Sequence, residues 1–99
     1  MTIEIQYVRI PTSESLDALA TKKLNKLAQK YDWLIRAQVH FKLENVPAGN
    51  GKICEIELSA PGPRLFAKSS SDDFEKSLAE TVKELEGQLR KKKTMMQKR

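Results

Sequence analysis

The sequence contains little of what catalytic and metal-binding sites usually require. Its 99 residues include one cysteine, Cys54, and one histidine, His40. A single cysteine cannot form an internal disulfide bond, which fits a reducing compartment. One histidine and one remote cysteine also cannot supply the usual ligands of a zinc site. We therefore expect a protein without a metal site or cofactor.

Long hydrophobic runs are missing as well. No stretch approaches the roughly eighteen or more apolar residues of a membrane-spanning helix. The first eleven residues alternate between apolar and polar like a strand, which does not resemble a signal peptide. These features predict a single cytoplasmic domain without a membrane partner. A chain of this length can bury roughly 60–65% of its unfolded surface.

No constellation of side chains predicts catalysis. Glu55 and Glu57 share one face of a predicted strand, but without a partner set they are typical of a solvated face. Cys54 alternates with apolar residues, which predicts a small core residue rather than a nucleophile. Residues 49–51, Gly-Asn-Gly, lack a phosphate-loop signature, and no helix follows them. We expect no enzymatic activity and no small-molecule substrate.

Hydrophobic periodicity predicts six elements in the order β-α-β-β-β-α. Period-two alternation predicts strands over residues 2–9, 34–43, 52–60 and 64–69. Apolar residues at intervals of three and four predict helices over residues 12–31 and 72–93. The polar outward faces of the second and third strands indicate that one sheet face meets water. The predicted fold class is therefore α+β, with a four-stranded sheet and two helices packed on one face.

The second helix carries the strongest signal in the chain. Its apolar stripe runs from Phe74 to Leu89, and residues 71–73, Ser-Asp-Asp, suit a helix N-terminus. Lys92 falls on the apolar side of this helix. Because a buried, unpaired lysine is very costly, we expect the helix to have passed the end of the sheet there.

Positive charge is concentrated at the end of this helix. The formal charge of the chain is +5, yet residues 1–89 alone carry −1. From Arg90 onward there are six basic residues and no acid. A concentrated patch attracts polyanions more strongly than the same charge spread evenly, although a solubilising tail would have the same composition.

Two further rows of basic residues follow the predicted helices. They recur at intervals of four or seven residues and consist of Lys22, Lys26 and Lys30, with Lys23 beside them, and of Lys76, Lys83 and Arg90. Either row alone is an ordinary solvated helix face. If both helices pack on one sheet face, the rows can border a groove leading to residues 90–93. Lysines there would bind the phosphate backbone of a nucleic acid without recognising its base sequence. The few exposed aromatic residues do not favour stacking on bases.

Three stretches of the sequence resemble a known family. They are KKLNKLAQKYD at 22–32, a Pro-Gly turn followed by Leu-x-Ala at 61–67, and Asp-Asp-Phe leading to Leu-x-x-Gln-Leu-Arg-Lys at 72–91. This order resembles the ribosome hibernation promoting factor family, also called ribosome-associated translation inhibitor or sigma-54 modulation protein. Two positions depart from the family pattern. Lys30 comes one position later than the family's usual lysine before the aromatic-Asp ending, and Gly87 stands where the family usually has a charged helix former.

The resemblance implies the same β-α-β-β-β-α fold, which is itself similar to double-stranded RNA-binding domains. It also implies a stress or stationary-phase factor that occupies the decoding channel of the small ribosomal subunit and inhibits translation. The partners implied are ribosomal RNA and nearby ribosomal proteins. Residues 1–93 would form a single ribosome-binding domain, and residues 94–99 a basic, mobile tail.

The RNA-binding residues follow from the family motif together with the charge pattern. The predicted set is Lys22, Lys23, Lys26, Lys83, Arg90, Lys91, Lys92 and Lys93, with Lys30 and Lys76 as candidate additions. Two alternatives stay open at this point. One is a protein-interaction module of the sigma-factor modulator type that docks on an acidic partner. The other is a general binder of double-stranded RNA, which would show no preference for intact subunits.

Overall fold

A four-stranded sheet carries two helices on one face in the computed structural model, which describes residues 1–97. The elements are β1 (Thr2–Val8), α1 (Glu14–Lys30), β2 (Arg36–Leu43), β3 (Lys52–Ser59), β4 (Leu65–Ser71) and α2 (Phe74–Gln97). The predicted α+β class and the β-α-β-β-β-α order are confirmed. Lys98 and Arg99, the end of the predicted tail, lie outside the described residues.

The strands lie in the order β1-β2-β3-β4. β1 pairs with β2 in parallel, so α1 is the crossover between them, whereas β2, β3 and β4 form an antiparallel meander. The loop between β2 and β3 closes where the Glu44 amide donates to the Gly51 carbonyl at 2.8 Å. A Cβ at Gly51 would collide with the Glu44 carbonyl oxygen, so this approach requires glycine.

Both helices pack on the same hydrophobic core. The strands contribute alternate residues to it, namely Ala37, Val39, Phe41, Cys54, Ile56, Leu58 and Ala67. α1 contributes Leu16, Ala20, Leu24 and Leu27, and α2 contributes Leu78, Leu85 and Leu89. The predicted sheet face is therefore confirmed. Ile53 is also buried but lies outside this cluster, between Lys42 and Ser70 of the neighbouring strands, which alternation did not predict.

The helix ends follow from capping. Ser13 caps α1, and its hydroxyl accepts a hydrogen bond from the Leu16 amide. Asp73 precedes α2 and accepts from the Glu75 amide through its carboxylate. At the other end α2 continues beyond residue 93 to Gln97, since residues 94–97 contain no glycine or proline to end it. The mobility of residues 94–97 stays a prediction.

Candidate nucleic-acid interface

α2 is held on the sheet by a row of polar side chains beside its buried leucines. The Ser77 hydroxyl donates to the Lys52 carbonyl oxygen at 2.6 Å, and the Gln88 amide donates to that of Phe66 at 3.0 Å. Between them, the Thr81 hydroxyl lies 3.2 Å from the Cys54 carbonyl oxygen. Sequence reasoning missed this row, although its members recur at helical spacing next to the apolar stripe.

This docking sets the rotation of α2 about its own axis. With Ser77, Thr81 and Gln88 against β3 and β4, the opposite flank of the helix, about 120–160° away, turns towards α1. Val82 and Glu86 lie on that flank and reach α1. Lys83 is exposed on the solvent side of the same flank. The buried polar residues therefore decide which charges α2 presents beside α1.

A groove runs between the two helices. We call it the interhelical groove. It is lined by residues of both helices, namely Lys23, Lys26, Leu27, Gln29 and Lys30 of α1 and Val82 and Glu86 of α2. The Lys30 ammonium lies 3.2 Å from the Glu86 carboxylate. α1 thus supplies basic residues, as predicted, whereas α2 supplies Val82 and Glu86 in place of the expected row of Lys76, Lys83 and Arg90.

Lys22 and Lys76 are among the predicted basic residues that do not line the groove. Lys22 lines a shallow depression on the back of α1, which it shares with Asp17 and Thr21. Lys76 forms an exposed ion pair with Asp72 at 3.3 Å, near the start of α2. The structure therefore lines the groove with Lys23, Lys26 and Lys30. Lys22 is a helical neighbour of Lys26, one turn away, but lines the adjacent depression, whereas Lys76 lies near the start of α2.

The four consecutive basic residues 90–93 of α2 point in different directions around the helix. Consecutive residues are turned by about 100°, so they cannot share one face. Arg90 and Lys91 are exposed. Lys92 is half-buried at the Pro-Gly turn after β3, where a Cβ at Gly62 would lie 3.1 Å from its Nζ. This position fits the prediction that α2 has reached the end of the sheet by Lys92.

Lys93 points the other way, towards α1. Its Nζ lies 5.8 Å from the centroid of the Tyr31 ring, within the range of a cation–π interaction. Tyr31 caps the C-terminus of α1, where a cation also complements the helix dipole. Lys93 therefore adds positive charge at the end of α1.

The uncovered face of the sheet has a different electrostatic character. Glu4 pairs with Arg36 at 2.6 Å, Glu57 with Arg64 at 2.8 Å, and Glu55 with both Lys42 and Lys68 at 3.0 and 3.7 Å. Arg36 holds the pKa of Glu4 below its usual value, mainly through their hydrogen bond. Because these carboxylates balance the neighbouring cations, this face has little net charge to offer a polyanion.

A family comparison decides the class of protein. Residues 3–97 match the family described as sigma 54 modulation protein / S30EA ribosomal protein. The chain belongs to this family. The predicted membership is confirmed, and the match spans both helices and all four strands.

Two solved structures are similar to this member of the family over nearly their whole length. A ribosomal subunit interface protein from Coxiella burnetii is 26% identical, with 95% of this chain and 99% of that chain covered and a TM-score of 0.83. The N-terminal domain of Protein Y from Thermus thermophilus is 23% identical, with 92% and 98% covered and a TM-score of 0.78. The second likeness shows the fold alone. No match was found among curated protein sequences.

The family consists of ribosome-associated binding factors, so the prediction of a binding protein rather than an enzyme is confirmed at that level. Cys54 is consistent with this, since burial raises the pKa of its thiol to about 12 and keeps it protonated at neutral pH.

Within residues 1–97, no group of three His, Cys, Asp or Glu side chains could hold a metal ion. None of the described helices combines the length and apolarity that a membrane span needs.

Proposed function

We propose that this protein binds the small ribosomal subunit in the cytoplasm, occupies its decoding channel and inhibits translation under stress or in stationary phase. It acts as a hibernation factor that blocks the channel and performs no chemistry. The two helices contact ribosomal RNA, and the sheet holds them in register. The proposal rests on the family and on the charge of the helical face.

The observation that carries the proposal is the unequal charge of the two faces. Lys23 and Lys26 line the interhelical groove, and Arg90 and Lys91 are exposed at the end of α2. On the opposite face, the arginines and lysines form ion pairs with Glu4, Glu55 and Glu57. An RNA backbone gains most from cations that are not already paired within the protein, which favours the helical face.

The spacing of the groove lysines suits phosphates. Lys23 and Lys30 are separated by about 10 Å along the axis of α1, at 1.5 Å per residue. A nucleic-acid duplex carries one charge per roughly 1.7 Å of its axis, so several phosphates fall within that span. Lysines bind these phosphates as point charges, which recognises the shape of the RNA and not its sequence.

A sedimentation experiment with matched variants tests this proposal. Lys23→Gln combined with Lys26→Gln should weaken co-sedimentation with purified small ribosomal subunits and relieve inhibition of translation in vitro. The control is Arg64→Gln combined with Lys68→Gln on the uncovered sheet face. It removes the same charge and should change both readouts much less.

Three outcomes would contradict the proposal. Equal losses from the two pairs of substitutions would show that net charge alone matters. Equal affinity for a long RNA duplex and for small subunits would indicate a general double-stranded RNA binder. Association that survives nuclease treatment and high salt would indicate a protein-interaction module.

A further inference from the structure

Glu86 is the one acid among the described residues that line the interhelical groove. It lies on the α2 wall, opposite the three lysines of α1. A carboxylate at this position weakens the positive potential where the proposed function requires it. Its side chain is 34% exposed, so water and solutes can reach it.

The ion pair that Glu86 forms with Lys30 contributes little to the fold. Lys30 is 61% exposed, and pairs this accessible to water add little to stability because water and salt screen them. The pair has a larger effect on geometry. It holds the Lys30 ammonium against α2, 3.2 Å from the Glu86 Oε1 atom.

We propose that Glu86 competes with RNA phosphate for Lys30 and thereby sets the affinity of the groove. A phosphate that reaches Lys30 also approaches Glu86, and the two anions repel each other. Binding therefore breaks the Lys30–Glu86 pair. The groove then binds RNA less tightly than its lysines alone would allow, which favours release of the protein from the RNA. This inference rests on the proposed function.

Replacing Glu86 tests the competition. Glu86→Gln keeps the length and helix propensity of the side chain while removing its charge. It should tighten binding to purified small ribosomal subunits about two- to fivefold, the range that an exposed ion pair supports. Glu84→Gln is the matched control. It removes one charge from the same helix, about 200° around the axis from Glu86, and should have a smaller effect.

Coupling between Glu86 and Lys30 separates competition from a general change of charge. Lys30→Gln should weaken binding more in the Glu86→Gln background than in the parent, because only the parent must break the ion pair to free Lys30. The salt dependence of Glu86→Gln should also be steeper, by a slope of up to about 0.9, because in the parent the breaking of the ion pair, which salt favours, offsets part of the counterion release. Thermal unfolding of each variant confirms that the fold is retained.

The outcomes separate this inference from the function on which it rests. If the parent binds and Lys30→Gln weakens it equally in both backgrounds, the competition is absent and the inference alone fails. Weaker binding of Glu86→Gln would show instead that Glu86 contacts the RNA directly, which also overturns it. If the parent does not associate with small subunits at all, the proposed function and the inference fail together.

Discussion

The hydroxyl oxygen of Thr81 lies 3.2 Å from the carbonyl oxygen of Cys54 in β3 and 2.7 Å from that of Ser77 one helical turn earlier. Thr81 is completely buried, so this polar contact joins α2 to the inner part of the sheet. Because it lies beside the leucine stripe, it fixes the rotation of α2 and hence the flank that faces α1.

Thr81→Val should lower the free energy of unfolding by about 0.5–1.5 kcal/mol, the net value of a typical hydrogen bond. Valine retains the shape and the branching, so packing is conserved. Thr94→Val is the matched control, since the Thr94 hydroxyl bonds the Arg90 carbonyl on an exposed part of α2. It should change stability by less than about 0.5 kcal/mol. Urea denaturation measures both, and equal losses would contradict a special role for Thr81.

The thiol of Cys54 should be unreactive in the folded protein. Burial raises its pKa from 9.0 to about 12, and the side chain has no exposed surface. A thiol reagent at pH 8 should therefore label Cys54 only in molecules that have unfolded. The labelling rate should be limited by the rate of unfolding or by the unfolded fraction, and it should increase with urea. Rapid labelling without denaturant would show that β3 opens locally. A peptide spanning the same strand provides the reference rate.

Stability should fall at alkaline pH through Tyr7. Desolvation and the hydrogen bond to Asp17 raise the pKa of Tyr7 from 10.0 to about 12. The unfolded chain loses this proton first, so the contribution of Tyr7 is complete below pH 10 and declines as the pH rises towards 12. Tyr7→Phe should flatten this part of the stability curve, as measured by urea midpoints between pH 9 and 11.5. An unchanged slope would mean that Tyr7 ionises equally in both states.

Gly87→Ala should stabilise the protein by up to about 1 kcal/mol. Gly87 lies inside α2, and a Cβ added there meets nothing within 4 Å. Alanine therefore gains helix propensity without a clash. Gly49→Ala provides the contrast, because Gly49 has a φ of +74° and should lose stability on substitution. Thermal unfolding distinguishes the two, and a loss at Gly87 would indicate a backbone constraint on α2.

Ribosome association should depend strongly on salt and on residues 90–93. About six to eight phosphate contacts would give a log–log salt slope of about −4 to −7. Replacing residues 90–93 by glutamine should weaken binding at least about tenfold at near-physiological salt and make the slope shallower. Removing residues 94–99 alone should matter less, because it removes two cations, Lys98 and Arg99, and leaves the four cations of residues 90–93 in place. A slope near zero would contradict the electrostatic basis of binding.

The sequence by itself determined the elements and their order. The alternation of Val39 and Phe41 in β2 and the spacing of Leu78, Leu85 and Leu89 in α2 are local patterns, because side chains repeat every two residues in a strand and about every 3.6 in a helix. These patterns also require a shared core, which places both helices on one sheet face. The family resemblance depends on the same stretches and did not need coordinates.

Only the tertiary structure decided which charges meet. Sequence spacing gives the angles between residues on the same helix, but it does not determine which side of that helix faces a neighbouring helix. That choice was made by contacts distant in sequence, such as Thr81 with the Cys54 carbonyl and Gln88 with the Phe66 carbonyl. As a result Glu86 faces Lys30, which is 56 positions away, whereas Lys76 pairs with Asp72 near the start of α2. Pairings of this kind depend on packing in three dimensions, which residue periodicity does not encode.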